Sequence, residues 1–175
     1  MLEIEMKFES PNNGKVEDAL KSLGAERLSV VTMEDIYYCR RDVDFEQTDE
    51  ALRLRRVVDG AAELTYKGPR IRASSAKARE ELSISLDNAL SARRILERLG
   101  FNELASVKKT RTTYKLDALR IDVDDVEGLG QFVELEILTE DVSKAESLLQ
   151  EMRKALPLGP EVKKTYLEML LQSGS

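Results

Sequence analysis

Histidine and tryptophan are absent from this 175-residue chain, and cysteine occurs once, at Cys39. Without histidine, neither a Ser-His nor a Cys-His nucleophile can be assembled, and a zinc site built on imidazole has no ligands. A single cysteine excludes an internal disulfide and any thiolate cluster around a metal. A metal ion here has to be held by carboxylates, which suits hard cations such as Mg2+ or Mn2+. No stretch approaches the roughly 18–20 apolar residues that a membrane helix needs. The opening MLEIEMKFES lacks the basic start and apolar core of a signal peptide. A cytoplasmic protein without a membrane partner is expected. The glycine-rich loops G-x-x-x-x-G-K-[ST] and G-x-G-x-x-G are missing, so the P-loop and Rossmann readings have no support. Lysine and arginine total 27 against 33 aspartates and glutamates, a net charge of −6. An acidic balance speaks against nucleic acid, whose binding draws most of its affinity from clustered positive charge.

What is present is ordinary for a globule, with 42% hydrophobic and 34% charged residues. The length suits a single domain over 1–175. Leu2, Ile4, Met6 and Phe8 alternate with Glu3, Glu5, Lys7 and Glu9, the period of a strand. After an Asn-Asn-Gly turn, Val16, Ala19, Leu20 and Leu23 have helical spacing, and Gly24 stands at the closing position. Residues 27–40 read as one long strand or a bent pair, and 42–50 as an acidic turn. Residues 51–58 and 61–67 form a hairpin around Asp59-Gly60. Residues 68–78 (GPRIRASSAKA) form a basic loop of small residues. A strand over 79–86 follows, then a helix stripe of Ala92, Ile95, Leu96 and Leu99 closed by Gly100. Strands are expected over 103–116, 118–125 and 131–138. Helices are expected over 142–156 and 162–171, separated by the breakers Pro157 and Pro160.

The order repeats. At a shift of 76 residues Glu5 meets Glu81, Leu20 meets Leu96, Gly24 meets Gly100 and Tyr38 meets Tyr114. Past the 42–50 loop the shift falls to 69, where Arg53 and Arg55 meet Asp122 and Asp124, and Thr65 and Lys67 meet Glu134 and Glu136. The chain therefore reads as two β-α-β-β-β halves, 1–67 and 79–137, followed by C-terminal helices within 142–172.

The polar faces of these strands carry the chemistry. A solvated outer face explains any one of them. Yet nearly all show in-phase pairs of one sign: Glu3 and Glu5, Arg53 and Arg55, Lys109 and Arg111, Asp122 and Asp124, Glu134 and Glu136. Like charges two apart on a strand cost stability unless something compensates them. If the strands close into a small antiparallel barrel with these residues inward, the apolar faces point out, where amphipathic helices can cover them. Dry burial of so many charges would cost several kcal/mol each, so the interior must be wet and hold a ligand that needs both signs. A triphosphate carrying a divalent cation is such a ligand, with bases on phosphate oxygens and acids on the metal.

At this point the motifs resemble a known family. Glu3-Ile4-Glu5-Met6-Lys7 matches the E-x-E-x-K signature of the CYTH family, the triphosphate tunnel metalloenzymes, which include class IV adenylyl cyclases, thiamine triphosphatases and inorganic triphosphatases. Asp35-Ile36-Tyr37-Tyr38 is similar to its D-x-Y-[FY], Leu52-Arg53-Leu54-Arg55 to its L-R-[IL]-R, and Leu64-Thr65-Tyr66-Lys67-Gly68-Pro69 to its L-T-x-K-G-P. Arg79-Glu80-Glu81 resembles its R-x-E, and Lys109-Thr110-Arg111 its K-x-R. The run from Asp124 to Glu136 resembles its D-x-V-x-x-L-G-x-F-x-E-x-E. The ending Thr165-Tyr166-Leu167-Glu168-Met169-Leu170 is like that of the cyclase-like branch. Some members carry a histidine ahead of the D-x-Y motif; this chain has Val31-Thr32-Met33-Glu34 there.

The resemblance implies an α+β fold, an eight-stranded antiparallel β-barrel forming a tunnel with amphipathic helices packed outside. It also implies roles. Lys7, Arg53, Arg55, Lys67, Lys109 and Arg111 would bind the triphosphate, with Arg79 in the same set and Tyr37 toward the organic end of the substrate. Glu3, Glu5, Glu134 and Glu136 would hold Mg2+ or Mn2+, with Asp124 and Glu81 nearby and Asp122 in phase to share that work. Glu5, Lys67 and Glu136 are the expected catalytic side chains. Arg70, Arg72 and Lys77 are candidates to close over the phosphates. The expected activity is hydrolysis of inorganic, thiamine or nucleoside triphosphate. The alternatives are a class IV adenylyl cyclase making cyclic AMP and pyrophosphate from ATP, or a non-catalytic nucleotide- or polyphosphate-binding module. The protein is expected to be a monomer or a homodimer.

Overall fold

Alternating side chains and side-chain caps account for most of the elements. The computed structural model describes residues 2–42, 45–58, 60–69 and 80–173. The first half holds β1 (Leu2–Glu9), α1 (Asn13–Ser22), β2 (Glu26–Arg40), a single helical turn α2 (Phe45–Thr48), β3 (Ala51–Val57) and β4 (Ala62–Lys67). The second holds β5 (Glu81–Leu86), α3 (Ala89–Arg98), β6 (Phe101–Leu116), β7 (Leu119–Val126) and β8 (Gly130–Thr139), followed by α4 (Val142–Ala155) and α5 (Tyr166–Ser173). The repeat extends to the helix ends. Asn12 and Asn88, 76 residues apart, each accept a first-turn amide hydrogen, from Lys15 and Ser91. Gly24 and Gly100 both take positive φ, +82° and +89°, immediately past α1 and α3. A side chain there would be strained, which is why glycine recurs at this point.

The eight strands hydrogen-bond in the order β1-β8-β7-β6-β2-β3-β4-β5, with antiparallel ladders through β1-β8-β7-β6 and through β2-β3-β4-β5. The α+β class, the antiparallel strands and the two β-α-β-β-β series all agree with the expectation from the sequence. The expected 68–78 loop lies outside the described residues beyond Pro69, as do Asp59 of the hairpin turn and Arg79.

Contacts gather the chain into two compact units. The first comprises the described residues up to Val31 and those from Lys109 to Lys164. Its apolar strand faces, including Ile4 and Phe8 of β1, Ile121 and Val123 of β7, and Val133, Leu135 and Ile137 of β8, pack against Val16 and Leu20 of α1 and Ala145, Leu149 and Met152 of α4. Phe8, Leu20, Ile121, Leu135 and Leu149 are fully buried, and each contributes about 1.5–3 kcal/mol. Tyr114 joins this core and donates its hydroxyl hydrogen to Glu17. Burial first, and that carboxylate second, push its phenol up to about 12.

The second unit is built from the described residues between Thr32 and Lys108 and those after Lys164. Ile36, Tyr38, Leu54 and Leu96 form its core. Here the helical cover is thinner than the sequence stripe implies. Of that stripe Leu96 is buried and Ala92 packs against the core, but Ile95 and Leu99 are 60% and 65% exposed. Leu82 and Ile84 of β5 are likewise exposed.

The last expected helix begins later than its periodicity suggests, at Tyr166 and not near Val162. Residues 159–162 instead run alongside β1. Gly159 N–H donates to the Glu9 carbonyl (2.8 Å), Glu9 N–H to that of Pro160 (2.9 Å), and Val162 N–H to that of Lys7 (2.8 Å). The helix then opens on a reciprocal cap. Glu168 N–H donates to the Thr165 hydroxyl, while Thr165 N–H donates to the Glu168 carboxylate. This gives the Thr-x-x-Glu of the C-terminal motif a physical reason. A Cβ on Gly159 would lie 3.0 Å from the Glu9 carbonyl oxygen and 3.2 Å from its Cβ. Gly159→Ala is expected to cost about 1–3 kcal/mol, read as a lower urea midpoint; an unchanged midpoint would mean that this segment is not held against β1.

Candidate active site: charged rows across each unit

In the first unit, strand register lines up charged side chains in rows across neighbouring strands. One row runs Thr113–Asp122–Glu134–Lys7, over β6, β7, β8 and β1. The next, two residues along each strand, runs Lys115–Arg120–Glu136–Glu5. Arg111 stands opposite Asp124 in a third. These residues occupy the strand faces opposite the apolar ones, as alternation demands.

Arg111 is the hub. Its Nε and one terminal nitrogen donate to the two oxygens of Asp124, at 2.7 and 2.6 Å. The other terminal nitrogen donates to Asp122 (2.6 Å), and Glu134 accepts a further bond. Lys7 lies 3.2 Å from Glu134 and also donates to the backbone carbonyl of Lys164. Lys109 lies 3.4 Å from Asp124. Asp122, Asp124, Lys7 and Lys109 are all buried. Burial alone would raise the Glu134 carboxyl, but Arg111, with Lys7 and Lys109, outweighs it and holds Glu134 well below the usual carboxylate range. Burial works to lower Arg111, yet Glu134, Asp124 and Asp122 together drive it well above its ordinary value.

Glu5 and Glu136 face each other directly in the β1–β8 register. Like charges so placed are destabilising without a counter-charge. Arg120 approaches Glu136 at 3.9 Å. Among the described residues no three acidic side chains converge as a finished metal cage. The donor chemistry nevertheless fits a hard divalent cation, because Glu5, Glu136 and the adjoining Glu134 offer only carboxylate oxygens beside bases suited to phosphate. Glu3 keeps its place on β1 opposite Leu138, but its side chain lies outside the described residues.

The second unit carries its own rows, Asp35–Arg55–Glu63–Ser85 and Tyr37–Arg53–Thr65–Ser83. Arg55 forks onto buried Asp35 at 2.6 and 2.8 Å. One terminal nitrogen of Arg53 donates to Glu63 and Thr65, each at 3.2 Å. Its Nε is buried with no hydrogen-bond partner among the described residues. Lys67 pairs with Glu81 at 2.6 Å. Glu81 thus sits in this unit beside Lys67, and Tyr37 stands opposite Arg53. Arg79, Arg70, Arg72 and Lys77 lie outside the described residues.

Thr113 and Arg120 were not singled out by sequence reasoning. The signal for Thr113 was its phase, two residues past Arg111 on the face that already carries Lys109.

A model of the CYTH domain matches residues 1–166 of the chain. A protein of Methanocaldococcus jannaschii named "Putative adenylate cyclase MJ0240" is 40% identical over 174 residues, covering 97% of this chain and 98% of the relative. Among solved structures, the PH1819 protein of Pyrococcus horikoshii superposes with a TM-score of 0.83 at 33% identity, over 98% of this chain and 99% of that one. A Hippeastrum protein described as having a dominant triphosphatase activity shares the fold, with a TM-score of 0.73 at 19% identity over 99% and 95% of the two chains.

Proposed function

The chain belongs to the CYTH domain family, whose members act on triphosphates, and from that premise we propose that it is a divalent-metal-dependent triphosphatase. The observation that carries this reading is the facing pair Glu5 and Glu136 beside Lys7, Lys109 and Arg111 in one unit. Two facing carboxylates offer hard oxygen ligands to a cation, and the adjacent bases offer donors to an anion. A metal-bound triphosphate satisfies both.

Glu5, Glu134 and Glu136, with Glu3, would hold Mg2+ or Mn2+, which neutralises charge on the phosphates when bound. Lys7, Lys109 and Arg111 grip phosphate oxygens. In the second unit Arg53, Arg55 and Lys67 form another base set, and the unpartnered Nε of Arg53 is a donor suited to an anionic oxygen. Such a site works by positioning and charge neutralisation. Water attacks the terminal phosphorus, the anhydride P–O bond breaks, and orthophosphate departs from the remaining diphosphate.

The second reading is adenylyl cyclase, favoured by the name of the M. jannaschii relative. The same charges serve a ribose 3′-hydroxyl attacking the α-phosphorus, with pyrophosphate leaving. Hydrolysis stands ahead because the sequence offers no set of side chains for reading adenine. The deciding experiment incubates the protein with ATP and, separately, with inorganic triphosphate, then separates the products. Orthophosphate from either is expected, whereas cyclic AMP and pyrophosphate from ATP would replace hydrolysis with cyclisation. Excess chelator is expected to reduce turnover to background, and added Mg2+ or Mn2+ to restore it. Turnover that persists in chelator would rule out the metal requirement.

A further inference from the structure

We propose that Asp122, held by Thr113, is a positioning residue that sets the Arg111 guanidinium for triphosphate and does not itself ligate the metal. This rests on the triphosphate reading above and assigns a task within it.

Both oxygens of Asp122 are already engaged. Oδ1 accepts the Thr113 hydroxyl at 2.6 Å, and Oδ2 accepts an Arg111 terminal nitrogen at 2.6 Å. Arg120 Nε adds contacts at 3.4 and 3.2 Å to the two oxygens. Asp122 and Thr113 are 2% and 6% exposed. A metal at Asp122 would have to displace a buried hydroxyl and a charge-assisted bond. Glu5 and Glu136 lie one row along and face each other.

The geometry at Arg111 gives Asp122 its purpose. A guanidinium is a rigid planar fork with five N–H donors. Asp124 takes Nε and one terminal nitrogen, while Asp122 takes the other terminal nitrogen. Both anchors stand on β7, two residues apart, so this strand alone fixes the plane of the fork. Glu134 on β8 is the third partner. Were Glu134 to ligate a cation, Arg111 would keep both β7 anchors. The N–H group released by Glu134 would then be available to phosphate from a fixed position. Thr113 locks Asp122, and through it Arg111.

The test uses the full chain with Mn2+ alone, and with inorganic triphosphate, by titration calorimetry alongside kinetics. Asp122→Asn is expected to weaken triphosphate binding and raise KM by about tenfold, while the affinity for Mn2+ alone stays within about twofold of wild type. Thr113→Val is expected to shift the same quantities in the same direction by a smaller factor, and Thr113→Ser, which keeps the hydroxyl, to restore them. A Mn2+ affinity that falls about tenfold in Asp122→Asn would make Asp122 a metal ligand and overturn the proposal. Unchanged triphosphate affinity in both Asp122→Asn and Thr113→Val would overturn it too. If Asp122→Asn fails to fold, the Thr113 pair decides alone. Wild-type protein that neither binds nor cleaves triphosphate would remove the functional reading itself, a result separate from any pattern among the variants.

Discussion

Glu136→Gln is expected to lower metal-dependent turnover by roughly 100-fold or more, while the stability of the metal-free protein changes by no more than about 1 kcal/mol. The asymmetry follows from the β1–β8 register. Glu136 faces Glu5, so the two carboxylates repel, and Arg120 at 3.9 Å from Glu136 offsets part of that repulsion. Removing one charge relieves that repulsion and costs little of the fold, but it deletes a ligand that the bound state requires. Glu5→Gln is expected to behave alike. Initial rates across a Mg2+ or Mn2+ titration, with thermal melts of the chelated protein, read the two effects apart. Undiminished turnover in both variants would remove the metal assignment.

Arg111→Ala is expected to act in the opposite sense, on the fold before the chemistry. Its guanidinium pairs with Asp122, Asp124 and Glu134 at once. Removing it leaves buried carboxylates without their main counter-charge, a loss of about 3–5 kcal/mol in the metal-free protein, measurable by urea unfolding at neutral pH. The pH dependence carries a sign. Glu134 sits below its ordinary value in the folded wild type. The stability it contributes is therefore present above the unfolded carboxylate range, near pH 4, and lost as the pH falls through its lower folded value. The variant lacks that contribution, so the two stability curves converge in acid. A deficit that widened in acid, or a variant as stable as wild type at neutral pH, would contradict the hub described for Arg111.

Much of the architecture is legible in the sequence because two-residue alternation and helix caps are local signals. Val133, Leu135 and Ile137 against Glu134 and Glu136 disclose both the strand and its two environments. The paired asparagines and glycines around α1 and α3 mark the repeat at its turns. Less legible is whatever depends on partners distant in the chain. Val162 lies in a stretch with helical spacing, yet its N–H is taken by Lys7, more than 150 positions earlier. Periodicity cannot register such a competitor. Ile95 and Leu99 have the spacing of a buried stripe, but burial also needs an opposing surface, and there it is incomplete. The charged residues were identifiable by sign and phase. Which acid would neutralise which base was not, because Arg111, Asp122 and Glu134 meet only once three strands are in register. Thr113 escaped notice for the same reason, since a hydroxyl carries no charge to betray its role.

The pairing of residues 159–162 with β1 bears on how the protein is made. The strand that carries Glu5 and Lys7 is synthesised long before its neighbour on that edge, because the Lys7 and Glu9 backbone groups find their partners only in residues 159–162. Such a long-range closure is slow by its topology. Until it happens, a nascent chain carries an open strand margin along β1, the kind of surface on which chaperones and stray strands compete.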